Sequence, residues 1–289
     1  LESVSVRCNA KVNLYLKVIG RRTDGYHDIA TVYHSISLHD TLTLRRGGRG
    51  IRVTCDDPRV PLGERNLVFR AVASLLENSR EGADIAIEKR IPMDAGLGGG
   101  SADAAGALIG IDRLFDLGRT GKELESIASA IGADVKFLLH GGCALGVGKG
   151  DNLSFFPPLP KMDLVLVVPD VSVSTGWAYD SLKMGLTTRQ VDLTMIKSAL
   201  GQGDATFPCE ILHNDFESLI FERYPLVGGL KSDLLGCGAS GALMSGSGPV
   251  VYGVFSDPSK AQQCSKQFLE SGYTTLAANF VEHGVTVSE

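Results

Sequence analysis

No two cysteines are close enough to make a CxxC pair. The six sit at positions 8, 55, 143, 209, 237 and 264, so zinc-ribbon and dithiol redox chemistry have no motif to work with. A chain of 289 residues needs no disulfide staples, and we read the six as reduced thiols, mostly in the core. A basic excess is also missing: 28 Lys and Arg face 33 Asp and Glu, for a net charge of −5. That balance argues against nucleic acid as a main partner. The one long charge-free stretch, 234–256, is broken by Ser245-Gly246-Ser247-Gly248-Pro249. The break suits strand–turn–strand and not a membrane-spanning helix. Arg7 and Lys11 interrupt the N-terminus before any apolar run forms, so no secretory signal is read there and a cytoplasmic location is expected. Internal repeats and low-complexity tracts are absent as well.

Glycine is in excess, at 35 of 289 residues, and much of it falls where backbone meets helix. The pattern predicts strands over 10–19, 29–45 (with a break near His39-Asp40), 51–55 and 83–88, and a helix over 67–77 capped by Asn66. Ala104, Leu108, Ile111 and Phe115 recur at helical spacing. Thr120 and Glu123 form a capping box for the next helix, which Gly132 ends. Strands are expected over 142–147 and 162–168, and Pro157, Pro158 and Pro160 mark a boundary between halves. Beyond it we expect helices near 175–184, 191–200, 215–222 and 258–271, with strands 239–245 and 249–255 flanking the Ser-Gly turn. Strands that follow one another without helices argue for an α+β fold.

Residues 95–101, Ala-Gly-Leu-Gly-Gly-Gly-Ser, lie between a predicted strand and a predicted helix. Removing side chains from a helix entrance leaves backbone N–H groups and the helix dipole aimed at one spot, which suits a polyphosphate. The P-loop and dinucleotide fingerprints do not fit: no Gly-Lys-Ser/Thr opens the helix, and Ser101 occupies the third-glycine position. A purely structural glycine turn is the alternative. Asp134, two residues past Gly132, is expected at the negative end of a helix dipole, where a carboxylate needs an outside reason. It is either a solvated loop aspartate or a proton acceptor. Lys11 is either turned outward from its strand or an inward cation. Tyr26-His27 and Ser245–Gly248 each read equally well as ordinary hairpin residues.

Four segments together resemble the GHMP kinases, the superfamily of galactokinase, homoserine kinase and mevalonate kinases: AKVNLYLKVIGRRTDGYHDI (10–29), PMDAGLGGGSADAA (92–105), GADVKFLLHGGCALGVGKG (132–150) and MSGSGP (244–249). The first segment, with Lys-x-Asn-Leu and Asp-Gly-Tyr-His, is similar to a branch whose alcohol substrate carries a cytidine diphosphate group. The resemblance implies a ribosomal-protein-S5-like N-terminal domain over 1–158 and a ferredoxin-like C-terminal domain over 159–289, with the active site between them. It implies ATP with Mg²⁺, a small-molecule acceptor, no membrane, and either a monomer or a homodimer.

It also gives residues roles. Lys11 and Asp134 match the catalytic lysine and aspartate, and Lys11 supplies the cation that the placement of Asp134 calls for. Pro92, Met93, Asp94, Ala95 and Gly96 would begin the phosphate loop. Leu97, Gly98, Gly99, Gly100, Ser101 and Ala102 would complete it. Asn66 and Lys89 match positions near adenine. Asn13, Tyr26, His27, Thr175 and Tyr179 match the acceptor side. Two departures stand out: Asp94 replaces a small residue, and Ala102 replaces a serine found in many relatives. The metal ligands cannot be read from the sequence. Another kinase of the same superfamily, or a non-catalytic nucleotide-binding module, remain the rival readings.

Overall fold

The computed structural model describes residues 1–77, 81–182, 192–201 and 207–288. The first half runs β1 (Ser3–Arg21), β2 (His27–Gly47), β3 (Ile51–Cys55), α1 (Leu67–Leu76), β4 (Gly82–Glu88), α2 (Gly99–Phe115), α3 (Gly121–Ile131), α4 (Ala133–His140), β5 (Cys143–Gly148) and β6 (Asn152–Phe156). The second half runs β7 (Asp163–Val168), α5 (Thr175–Ser181), α6 (Leu193–Gly201), β8 (His213–Asn214), α7 (Phe216–Arg223), α8 (Pro225–Gly236), β9 (Gly241–Met244), β10 (Val251–Phe255), α9 (Pro258–Glu270), β11 (Thr274–Asn279) and β12 (Val285–Ser288). The α+β reading holds. The expected helices near 175–184 and 191–200 extend in part onto 183–191, outside the described residues.

Two sheets carry the fold. The first has the order β12-β1-β2-β4-β3, with β5 on the early part of β2, β6 on β5, and β8 on β1. The β1–β2 register slips between Asn9↔His39 and Ala10↔Ile36, so Ser37 and Leu38 bulge out. That bulge is the break expected near His39-Asp40. The second sheet has the order β11-β7-β10-β9, all antiparallel, with α8 and α9 as its crossings, a ferredoxin-like βαββαβ arrangement. We propose the passage near residue 158 as the domain boundary, with β8 and β12 returning to the first sheet.

Alternation along β7 explains how the layers stack. Leu164 and Leu166 join the core shared with the first sheet, whereas Val165 and Val167 join the core under the second-half helices. Against the first sheet, α2 lies very close to β1. A Cβ on Gly106 would stand 2.2 Å from Cys8 Sγ, and one on Gly110 would stand 2.8 Å from Leu44. These two glycines let the helix sink onto the strands, which sets the depth of its N-terminal end. All six cysteines are free thiols, and no described helix is long and apolar enough to cross a membrane.

Candidate active site

The turn before α2 builds the site. Gly96 and Gly98 have φ of +75° and +70°, a region where an L side chain is strained. Space forbids one as well. A Cβ on Gly96 would meet the Ser245 carbonyl at 2.0 Å, and one on Gly98 would press on the Lys11 side chain at 3.0 Å. Gly98 caps α2 with no side-chain hydrogen bond, so the first-turn N–H groups are left to the cavity in front. Pro92 through Ser101 line that cavity, whose volume is about 560 Å³.

Lys11 faces the same cavity from β1. It is 4% exposed, which rules out the outward-facing alternative. Its Nζ donates to Asn13 Oδ1 at 2.7 Å and to the Gly96 carbonyl at 3.1 Å. Asp134 Oδ2 stands 3.4 Å from it. Asn13 Nδ2 in turn donates to Thr31 Oγ1 at 2.7 Å, and Thr31 donates to the Tyr15 carbonyl. The ammonium is thus aimed by a relay that ends in backbone. Below it, the Tyr33 ring centroid lies 5.8 Å from Nζ and stacks on Phe137. Burial, with the nearby Asp134 charge, pushes the Tyr33 hydroxyl well above its ordinary pKa.

The expected placement of Asp134 is corrected here. Gly132 does end α3, but its extended backbone (φ 174°) turns the chain straight into α4. Asp134 therefore lies in the first turn of α4, at the positive end of a dipole. A carboxylate there gains about 0.3–1 kcal/mol instead of losing it.

The second-half sheet closes the cavity from above. Ser245 Oγ donates to the Gly96 carbonyl at 2.9 Å, Asn13 N donates to Ser245 Oγ at 3.4 Å, and Tyr252 donates to the Asn13 carbonyl at 2.9 Å. The two glycine turns, 149 residues apart in sequence, therefore share a hydrogen bond. Asn214 anchors the upper turn by donating to the Met244 and Gly246 carbonyls. Ser247 faces the cavity beside Thr175, with their hydroxyl oxygens 3.0 Å apart.

Other expected residues fall in distinct places. Asn66 lines the cavity, but its amide is used locally: Oδ1 accepts from Val68 N at 2.8 Å and Nδ2 donates to the Pro61 carbonyl at 2.6 Å. Lys89 also lines it, with its ammonium held by buried Asp40 and, at 3.0 Å, by Asp103. Burial, together with the facing Asp40 charge, pushes the Asp103 carboxyl up to about 8. Asp94 is exposed at the rim, with φ +51°. Ala102 is buried behind the bend, its N–H bonded to the Gly98 carbonyl. Tyr179 lines the cavity, and His27 packs on it with ring centroids 5.0 Å apart. Tyr26 is 62% exposed, outside the cavity lining. Tyr33, Arg65 and Lys149 line the cavity without having been singled out from sequence, whereas Ser247 belongs to the Ser-Gly turn already noted; for Lys149 the signal was its place between two glycines, Gly148 and Gly150. A larger cavity, about 830 Å³, lies across the 89–95 segment, but Lys11, Asp134 and residues 96–101 do not face it. The chemistry therefore belongs to the first.

Among the described residues no group of three or more His, Cys, Asp or Glu is placed to hold a metal ion. Ser101, in the first turn of α2, puts a hydroxyl on the cavity.

A helix entrance cleared of side chains lies beside a lysine–carboxylate pair in one cleft between two α+β layers, an arrangement that suits phosphoryl transfer. The chain belongs to the GHMP kinases, ATP-dependent enzymes: it matches the GHMP kinases N terminal domain over residues 66–142 and the GHMP kinases C terminal domain over 196–274. Within that family it is similar to 4-diphosphocytidyl-2-C-methyl-D-erythritol kinases. It is 42% identical to that of Syntrophotalea carbinolica over 93% of this chain and 95% of that protein. It is also 42% identical to that of Moorella thermoacetica, over 96% and 98%. A crystal structure of 4-(cytidine 5'-diphospho)-2C-methyl-D-erythritol kinase superposes with a TM-score of 0.81 at 32% identity, covering 96% of this chain and 98% of that one. Homoserine kinase from Cytophaga hutchinsonii shares the fold, with a TM-score of 0.75 at 22% identity over 100% and 98%.

Proposed function

We propose that this protein transfers the γ-phosphoryl group of ATP to the 2-hydroxyl of 4-diphosphocytidyl-2-C-methyl-D-erythritol, a step of non-mevalonate isoprenoid synthesis. The observation that carries the chemistry is the 3.4 Å approach of Lys11 Nζ to Asp134 Oδ2 on the cavity that the glycine bend opens into. The relatives above support the choice of acceptor.

The residues divide the work. Residues 96–101 hold the triphosphate with backbone N–H groups and the α2 dipole. Two of the three Lys11 N–H bonds are fixed by Asn13 and Gly96, leaving the third for the acceptor oxygen. Asp134 takes the hydroxyl proton as that oxygen bonds to the γ-phosphorus. The bond from phosphorus to the β–γ bridging oxygen breaks, and ADP leaves. Little covalent help is needed, because positioning and charge stabilisation dominate phosphoryl transfer. Mg²⁺, when bound, offsets phosphate charge. Tyr179 and His27, packed together, offer an aromatic wall for a cytosine, with Tyr26 beyond them.

Mass spectrometry of the product from purified protein, Mg-ATP and the diphosphocytidyl polyol tests the reading. A new phosphate on the polyol is expected. ATP turnover on mevalonate or a simple sugar, with none on this acceptor, overturns it.

A further inference from the structure

The six thiols do not share one environment. Cys8 lies against Gly106, Cys55 beside Asp56 and Asp57, and Cys209 beside Gly241. Cys143 is buried in β5. Cys237 and Cys264 differ from these four. Both pack into the core under the second-half helices, one at the end of α8 and the other in the middle of α9.

Backbone hydrogen bonds hold Cys237 in place. It is the C-cap of α8, and the helix ends in a Schellman turn: Gly238 N donates to the Leu235 carbonyl at 2.9 Å and Ala239 N to the Leu234 carbonyl at 3.2 Å. Gly238 takes the left-handed φ, +89°, that such a turn needs. This turn lies across α9. Cys237 Sγ stands 3.5 Å from Gln267 Oε1, and a Cβ on Gly238 would stand 3.4 Å from the Lys260 side chain. Lys260, Cys264 and Gln267 follow at i, i+4 and i+7, so they form one stripe along α9. With 237 against one end of the stripe and 238 against the other, Cys264 is the residue between. Burial, and the neighbouring Cys237, push the Cys264 thiol up to about 12. Cys264 is 1% exposed, whereas Cys237 is half-buried at the surface end of its helix. A thiol within reach of a small molecule thus covers one that is out of reach.

We propose that Cys237 and Cys264 form a modification site, a dithiol that a low-molecular-weight disulfide such as glutathione disulfide converts into a reversible cross-link between α8 and α9. The Cys237 thiolate attacks one glutathione sulfur, and the other glutathione leaves as a thiol. Cys264 then gives up its proton and attacks the Cys237 sulfur, releasing the second glutathione. The two protein thiols lose two electrons, the glutathione disulfide gains them, and the two glutathione thiols carry the two protons. The cross-link closes a loop that holds β9, the Ser245–Gly248 turn and β10, and so restricts the unfolded chain.

The test incubates the full chain with glutathione disulfide, caps the remaining thiols with N-ethylmaleimide, and maps unreduced tryptic peptides by mass spectrometry. Expected are a cross-linked pair joining peptide 232–260 to peptide 261–266 and four capped thiols in place of six. The urea midpoint should rise, and dithiothreitol should return it to its starting value. The pair should react about tenfold faster than Cys55 or Cys209, which are also half-buried but unpaired with a second thiol. Cys264→Ser should stop at a glutathione adduct on Cys237, and Cys237→Ser should leave Cys264 unmodified. Six capped thiols overturn the proposal, as does a wild-type adduct on Cys237 that never resolves. Modification of Cys55 and Cys209 at the rate of Cys237 also overturns it, because it would mark exposure alone.

Discussion

Lys11 and Lys89 line the same cavity, and each is nearly sealed from solvent, with side chains 5% and 7% exposed. Their partners differ. Asp134 stands 3.4 Å from Lys11, is 31% exposed, and lies at a helix N-terminus on the open side. Asp40 and Asp103 close tightly on Lys89, and both are buried. Asp40 also accepts the backbone N–H groups of Arg90 and Ile91, at 2.5 and 2.8 Å. The loose pair leaves room for a third atom within reach of both charges, which is what proton transfer needs. The tight cluster ties β2, the end of β4 and the start of α2 together ahead of the glycine bend. We propose that one lysine is arranged for reaction and the other for shape.

The largest expected effect separates them by rate. Asp134→Asn should lower kcat by about 10²–10⁴-fold while KM for ATP stays near wild type. Steady-state kinetics at saturating acceptor measure it, and wild-type turnover would erase the distinction. Next, Lys89→Met leaves two buried carboxylates facing each other without their cation. Breaking such a pair costs about 3–5 kcal/mol, seen as a lower midpoint in urea unfolding. An unchanged midpoint would mean that the cluster does not hold the fold.

A pH series sharpens the same contrast. The Asp103 carboxyl titrates near 3.9 when unfolded and is pushed up to about 8 when folded. The folded state therefore holds this proton more tightly. The associated stability is complete below about pH 4 and is lost as pH rises to about 8. Between about pH 5 and about pH 8, unfolding midpoints of the wild type should fall more steeply than those of Asp103→Asn. Parallel curves would mean that folding does not tighten the hold of Asp103 on its proton. The smallest effect belongs to Asn66, which lines the cavity but serves the helix. Asn66→Ala should lower stability by about 1 kcal/mol, read by thermal unfolding, with KM for ATP raised less than about threefold.

Local signals were legible in the sequence where their partners lie within a few residues. The Asn66 cap and the Thr120–Glu123 box are both present as expected. The helix α4 was missed because Gly132 reads as a stop, when it is a one-residue joint between two helices. Gly228 and Gly229 blur the period of α8, and β11 and β12 are short and partly exposed, so neither pattern stands out. For the site, the glycine bend was legible as a helix entrance cleared of side chains, and Gly96 and Gly98 adopt the positive φ it needs. The orientation of Lys11 was not, because β1 is buried on both faces from Cys8 to Val18 and alternation cannot say which face holds a cavity. The partners of Lys89 come from positions 40 and 103, and no spacing rule joins them.

The pairing of β12 with β1, Ser5–Cys8 against Val285–Ser288, has a bearing on how this molecule is made. During synthesis β1 leaves the ribosome with one flank unpaired and keeps it so until β12 has emerged. A fragment cut near residue 158 would display that flank to any extended segment it met, and should clump where the intact chain stays dispersed. Through β8 and β12 the second half reaches into the first sheet, so a cut near residue 158 would part paired strands.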